Sequence, residues 1–185
     1  MDVEQAIRSR RTIKAFDPRP VDRDTLTELL ELARWAPNHH LTNPWRFRVV
    51  GPRALERLKR AAAELAVAEC GPAEAAEVAR AAAAKLDRAP TLVVCSVLRS
   101  EDPIEREEDS HAAAVAAYIV LLSAHGRGLA GYWRTPEVLR TEAGRAAVGL
   151  GTGEDFVGLL HLGLAKQEAE PPDREPAAKY VTFLD

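Results

Sequence analysis

Apolar residues fall at Val3, Ala6 and Ile7, the i, i+3, i+4 spacing of a short amphipathic helix over residues 2–10. A second stripe, Leu26, Leu29, Leu30, Leu32 and Ala33, predicts a longer helix that Asp22 or Asp24 can cap and Pro37 closes. After a loop over residues 38–44, Trp45-Arg46-Phe47-Arg48-Val49-Val50 alternates apolar and basic residues, then stops at Gly51-Pro52, the strongest half-buried strand signal in the chain. Residues 54–88 are rich in Ala, Glu, Lys, Arg and Leu with a break at Gly71-Pro72, which predicts two helices forming a mobile cover more than a core. Residues 91–98 are apolar and β-branched, as in a fully buried strand. A long apolar helix over about 105–127 follows, with an acidic first turn and a stop at Gly126 or Gly128. Residues 130–134 predict a short strand, 136–148 a helix with Pro in its first turn, and 156–164 a buried strand. The terminal stretch 180–184 has the composition of an added strand. Helices outweigh strands and no regular βαβ rhythm appears, so the expected class is an α+β layered domain.

Composition narrows this picture. The length of 185 residues is that of one ordinary domain, 1–185. Hydrophobic residues make up 46% but aromatics only 5%, so the apolar content rests on Ala, Val and Leu and the expected core is thin for its length. A net charge of -3 offers no bulk attraction to nucleic acid or to an anionic membrane. Cys70 and Cys95 lack metal-ligand spacing and are expected as free thiols. The first sixteen residues are charged throughout, so neither a secretory signal nor a lipid anchor is expected, and the cytoplasm is the default location. The longest apolar run, 112–124, is shorter than the roughly 20 residues of a membrane span.

Three constellations could carry chemistry. Arg10-Arg11-Thr12 with Lys14 places cations and a hydroxyl at a helix exit, which suits a phosphate dianion. Basic residues ending a helix also complement its dipole, a reading that needs no ligand. The loop Asn38-His39-His40-Leu41-Thr42-Asn43 can offer several hydrogen-bonding groups to a planar heterocycle, or can be a structural loop with exposed histidines. A metal is disfavoured, because adjacent histidines are poorly placed to chelate one ion and no third ligand is near. Gly128-Leu129-Ala130-Gly131-Tyr132-Trp133-Arg134-Thr135 joins helix to strand. Its small residues allow close approach to a ligand, or form a helix cap followed by a core strand. Gly149-Leu150-Gly151-Thr152-Gly153 follows a helix, the wrong context for a dinucleotide fingerprint. Glu105, Glu107, Glu108, Asp109 and His111 are expected as a solvated first helical turn, and Ser123 lacks the surroundings of a hydrolase nucleophile.

Together these stretches resemble the FMN-dependent nitroreductase family, in its short single-domain form. Arg10-Arg11-Thr12-Ile13-Lys14-Ala15-Phe16-Asp17 with Pro20-Val21 is similar to its N-terminal flavin motif, and Ala33-Arg34-Trp35-Ala36-Pro37 through Pro44-Trp45-Arg46-Phe47 to its second motif. The run from Gly128 to Thr135 resembles the third, and Val157-Gly158-Leu159-Leu160-His161-Leu162-Gly163 the C-terminal strand-then-Gly signature. The resemblance implies a mostly antiparallel sheet flanked by helices, an obligate homodimer, and FMN at two sites on the subunit interface. It implies Arg10, Arg11 and Thr12 on the phosphate and ribityl chain and Lys14 near the ring's N1/O2 edge. It further implies His39 and Asn43 reaching over from the other subunit, and Trp133, Arg134 and Thr135 completing the pocket. The nicotinamide segment maps to Ser123, Ala124, His125, Gly126, Arg127 and Gly128. The implied activity is transfer of two electrons from NADH or NADPH to a nitroaromatic, quinone or similar acceptor, with no catalytic acid or base assigned, although His39 or His40 could donate a proton. Another flavin redox reaction, or flavin storage without turnover, are the alternatives. Thr12 replaces a usual Ser, Asn43 a usual Gln, and Trp35 a smaller or basic residue; Arg174 is a candidate for the C-terminal phosphate cation of longer members.

Overall fold

In the computed structural model, which describes residues 2–68 and 70–184, several helix starts have a local cause. Asp2 caps α1 (Val3–Ser9) by accepting from the Gln5 N–H, and Asp22 caps α2 (Arg23–Ala33) by accepting from the Thr25 N–H. Strand β1 (Trp45–Val49) is followed by α3 (Pro52–Val67), which starts on its proline, and by α4 (Ala75–Ala84). Next come β2 (Thr91–Leu98), α5 (Pro103–Gly126) and β3 (Ala130–Arg134), then α6 (Glu142–Val148) and β4 (Glu154–Gly163).

The strand order is β1-β2-β4-β3, and every neighbouring pair is antiparallel. Thr12 bridges Gly131 beside β3, and Phe16 bridges Ala165. On one face, α2 and α5 bury Leu26, Leu29, Ala116, Ala117, Val120 and Leu121 against Val93, Cys95, Leu160 and Leu162. On the other, α3 and α6 bury Leu58, Ala61, Ala147 and Val148 against Leu92, Val94, Tyr132 and Leu159. Alanines at 112, 113, 116, 117 and 124 line the inward side of α5, so the helix seats its backbone close to the sheet instead of filling a gap with large side chains.

Several expectations change. Helix α3 is core, since Leu58 is fully buried, whereas α4 has no buried residue and does sit as a cover. Residues 136–148 split into a 3-10 turn (Glu137–Arg140) and α6, because Thr141 is extended and its hydroxyl caps the second piece by accepting from the Gly144 N–H. Strand β4 begins earlier, at Glu154, whose carboxylate is gripped by Arg48 and Ser96 from β1 and β2. Residues 180–184 form no strand and are exposed.

His161 on β4 lies between Leu92 and Tyr132 and stacks on the tyrosine ring at 4.2 Å. Neither its ring nitrogens nor the Tyr132 hydroxyl has a hydrogen-bond partner among the described residues. Burial pushes its pKa down to about 3, helped by Arg134 and Arg88, so the imidazole is neutral.

Candidate functional site

The segment after α1 runs beside the edge strand β3 and faces the end of α5, and there the N-terminal cations meet a cavity of about 400 Å³. Its walls include Ser9, Arg10 and Arg11, His125 and Gly128 from the α5 end, and residues 165 and 167–169. The Arg10 and Arg11 guanidiniums bond only to backbone carbonyls, of Arg11, Arg8 and Arg10, and neither forms an ion pair among the described residues. Arg10 also sits 5.9 Å from the centre of the Tyr118 ring. An adjoining cavity of about 490 Å³ adds Arg8 and Arg174 to the same two arginines. Guanidiniums without carboxylate partners at a cavity wall are what a phosphate dianion requires, so this side of the chain fits the phosphate of a flavin nucleotide.

His125 is tied to this wall by a 2.7 Å hydrogen bond between its Nε2 and the Ser9 hydroxyl. Burial lowers its pKa, and the charges of Arg10 and Arg11 lower it further. Of the neighbouring expected site residues, Ala124 is buried against the sheet, while Gly126 is exposed and Arg127 pairs with Glu28 of α2. Ser123 is half-buried, and Gly128 takes a left-handed φ of 77° to close the helix. Thr12 and Lys14 are exposed on the same segment as Arg10 and Arg11.

The loop with His39 and Asn43 lies at the other end of α5. Its Thr42 hydroxyl donates to Asp109 Oδ1 at 2.5 Å. Asp109 and His125 are 16 positions apart on one continuous helix, and at 1.5 Å per residue that is roughly 24 Å. Within one chain, therefore, the structure does not bring His39 and Asn43 to the arginine cavity. Three non-glycine exceptions fall within four residues of this loop: His40, Leu41 and Asn43 hold φ of 54°, 54° and 48°. Each costs about 1–2 kcal/mol relative to ordinary backbone. His39, His40 and Asn43 are exposed, and the two imidazoles pack edge to face at 3.8 Å.

Nor does β3 present its expected residues to one place. Trp133 points toward α5, with its indole N–H donating to the Val157 carbonyl at 3.3 Å, and Gly158 leaves the space for the ring. Arg134 points to the opposite face, donates to the Lys85 carbonyl, and lines a separate cavity of about 230 Å³ with Leu65, Leu86 and Val138. Thr135 is exposed at the strand end. Gly131 is explained by packing, because a Cβ there would stand 2.9 Å from both the His161 carbonyl and a Leu121 methyl.

Sequence reasoning missed Asp109, expected in a solvated turn, which is only 4% exposed. It named Asn38 and Thr42 in the loop but not their pairing with Asp109, and it missed Ser9 at the cavity. The signal existed: Asp109, Ala112, Ala113, Ala116 and Ala117 repeat at helical spacing, which puts the carboxyl on the inward stripe. Cys95 is buried, with its thiol pushed up to about 12 by burial, and is chemically inert; Cys70 is free and half-buried. No group of metal-ligating side chains occurs among the described residues. No described helix is long and apolar enough to cross a membrane.

Comparisons with known proteins agree with this architecture. The chain is 29% identical over 180 residues to "Putative NAD(P)H nitroreductase YfhC" of Bacillus subtilis, covering 96% of this chain and 92% of that protein. Its fold matches the crystal structure of a nitroreductase-like family protein from Bacillus cereus with a TM-score of 0.86 at 24% identity, covering 100% and 97% of the two chains. It also matches the FMN and NADPH-dependent nitroreductase NfnB from sphigopyxis sp. strain HMH with a TM-score of 0.81 at 19% identity, over 100% of both chains. The nitroreductase family model covers residues 7–164, from the arginine segment through the last strand, and the chain belongs to the nitroreductase family.

Proposed function

We propose that this protein is an FMN-dependent NAD(P)H oxidoreductase that works as a homodimer and passes two electrons to a nitroaromatic, quinone or similar small acceptor. One observation carries the reading: the arginine cavity and the histidine loop stand at opposite ends of α5, roughly 24 Å apart, so one chain holds two half-sites and a second chain completes both. The relatives named for NAD(P)H and for FMN support the cofactor and donor. Free cysteines suit a reducing compartment, and we place the protein in the cytoplasm.

In this reading Arg10 and Arg11 grip the phosphate, with Thr12 on the ribityl chain and Arg174 lending a further cation. Lys14 supplies positive charge at the pyrimidine edge of the ring, where negative charge develops on reduction. His39 and Asn43 close the site from the partner chain. The segment 123–128 receives the nicotinamide donor. When bound, FMN would supply the two-electron redox chemistry between NAD(P)H and the acceptor, while the protein would bind and orient the reactants and exclude water. No protein nucleophile takes part.

The test is direct. Protein incubated with FMN and repurified is expected to carry flavin absorbance, to elute as a dimer, and to lose its yellow colour on stopped-flow mixing with NADH or NADPH. No bound flavin ends the assignment. Bound flavin that stays oxidised with both donors replaces it with a storage role.

A further inference from the structure

We infer that Asp109 is a positioning residue: from inside the α5 layer it fixes the 39–43 loop in the shape that it presents to the neighbouring subunit. Asp109 Oδ1 accepts from the Thr42 hydroxyl at 2.5 Å and from Asn38 Nδ2 at 3.5 Å. Asn38 Nδ2 also donates to Thr42 Oγ1 at 2.9 Å, and Asn38 Oδ1 accepts from the Asn43 N–H at 2.7 Å. One buried carboxyl group thus anchors the first and fifth residues of the turn and, through Asn38, the sixth, and the left-handed backbone at His40, Leu41 and Asn43 is held among those anchors. Residues with side chains leave that conformation readily unless their surroundings fix it.

The choice of residue argues for function. Asp109 is 4% exposed and has no cationic partner among the described residues; its donors are a hydroxyl and an amide. The rest of the inward stripe is Ala, Val and Leu. An apolar side chain would fill this point at least as stably as a buried carboxyl without a cation, so stability alone does not call for Asp. Loop geometry does. Because Asp109 stands on the helix whose far end meets the arginine cavity, α5 sets the distance between the half-site a chain keeps and the half-site it lends. This inference rests on the reading that the loop completes the partner's flavin site.

Asp109→Ala, Asp109→Asn, Thr42→Val and the Asp109→Ala/Thr42→Val pair, each in the full chain with FMN, test it. Asp109→Asn keeps an acceptor oxygen and is expected to stay within about twofold of the parent in every readout, as rescue. Asp109→Ala and Thr42→Val are expected to lower kcat about tenfold, with the KM for NAD(P)H little changed, and to alter the visible circular dichroism of bound flavin. Their Tm is expected to shift by no more than about 4 °C, and the double variant to be no worse than the worse single. Hydrogen exchange of the 38–43 amides, measured without flavin, is expected to quicken in Asp109→Ala and Thr42→Val but not in Asp109→Asn. Unchanged exchange and unchanged kcat in Asp109→Ala would overturn the inference, as would an Asp109→Asn variant as impaired as Asp109→Ala. A parent protein that binds no flavin removes the functional reading instead, and the exchange experiment then decides alone whether Asp109 holds the loop.

Discussion

The two ends of α5 solve different physical problems. At the C-terminal end, Arg10 and Arg11 have no carboxylate partner among the described residues and bond only to nearby carbonyls, so their charge is available to a ligand. At the N-terminal end, Asn38, Thr42 and Asp109 are bonded to one another, and what they hold is an unfavourable backbone. The first end stores unspent electrostatics, and the second stores shape. A gripping site tolerates some movement because charge acts over several ångströms, whereas a presented loop works only if its atoms stay in place.

The largest expected effect tests the gripping end. Removing both guanidiniums in Arg10→Ala/Arg11→Ala should weaken FMN by about 3–5 kcal/mol, a hundredfold or more in Kd, since charge-assisted hydrogen bonds contribute about 1.5–3 kcal/mol each. Fluorescence titration of the flavin at several salt concentrations checks this, and the salt dependence should fall as well. If Asn43→Ala weakens FMN as much and with the same salt dependence, the two ends do not differ as described.

The largest acid sensitivity is expected in the sheet beneath the two ends. His161 titrates near 3 when folded and near 6.5 when unfolded, so between these values the unfolded chain takes up a proton that the folded chain refuses. Stability should fall as pH drops from about 6.5 toward 3, by at most about 1.4 kcal/mol per pH unit. Denaturant melts across this range should show a flatter acid limb in His161→Phe; an unchanged slope would assign the effect elsewhere.

Helix α5 joins the two ends, so its packing is where one change should affect both. A Cβ at Gly158 would lie 2.1 Å from Trp133 Nε1, and that indole belongs to the cluster on which the middle of α5 rests. Gly158→Ala should destabilise by about 1–3 kcal/mol in thermal melts and impair flavin binding and turnover together. Loss of only one of the two would show that the ends are less tied than α5 implies.

Two smaller effects sharpen the contrast. Leu41 is 78% exposed at a φ of 54°, so Leu41→Gly relieves strain without uncovering a core. It should raise stability by up to about 1 kcal/mol in denaturant melts while lowering turnover, because the loop is freed. At the opposite end, Arg11→Ala should raise the His125 pKa by removing a nearby cation, and inorganic phosphate in the cavity should do the same. NMR titration of the imidazole checks both; no movement would place the arginine charge out of reach of His125.

By itself the sequence determined most of the helices and strands, because caps, turn residues and hydrophobic period act over a few positions. Asp2 and Asp22 cap their helices, Pro52 and Pro103 start theirs, and Gly128 ends α5. It also placed Arg10 and Arg11 beside a helix end, where only a local turn separates them from their cavity. Only the tertiary structure decided what depends on residues far apart in the chain. Strand pairing and helix packing decided what each face of β3 meets, so that Trp133 reaches the Val157 carbonyl and Arg134 the Lys85 carbonyl. They turned α3 from a cover into core and brought Asn38 to Asp109, 71 positions away. Such contacts follow from register and from which helix covers which face, and residues within a few positions of either partner do not encode them.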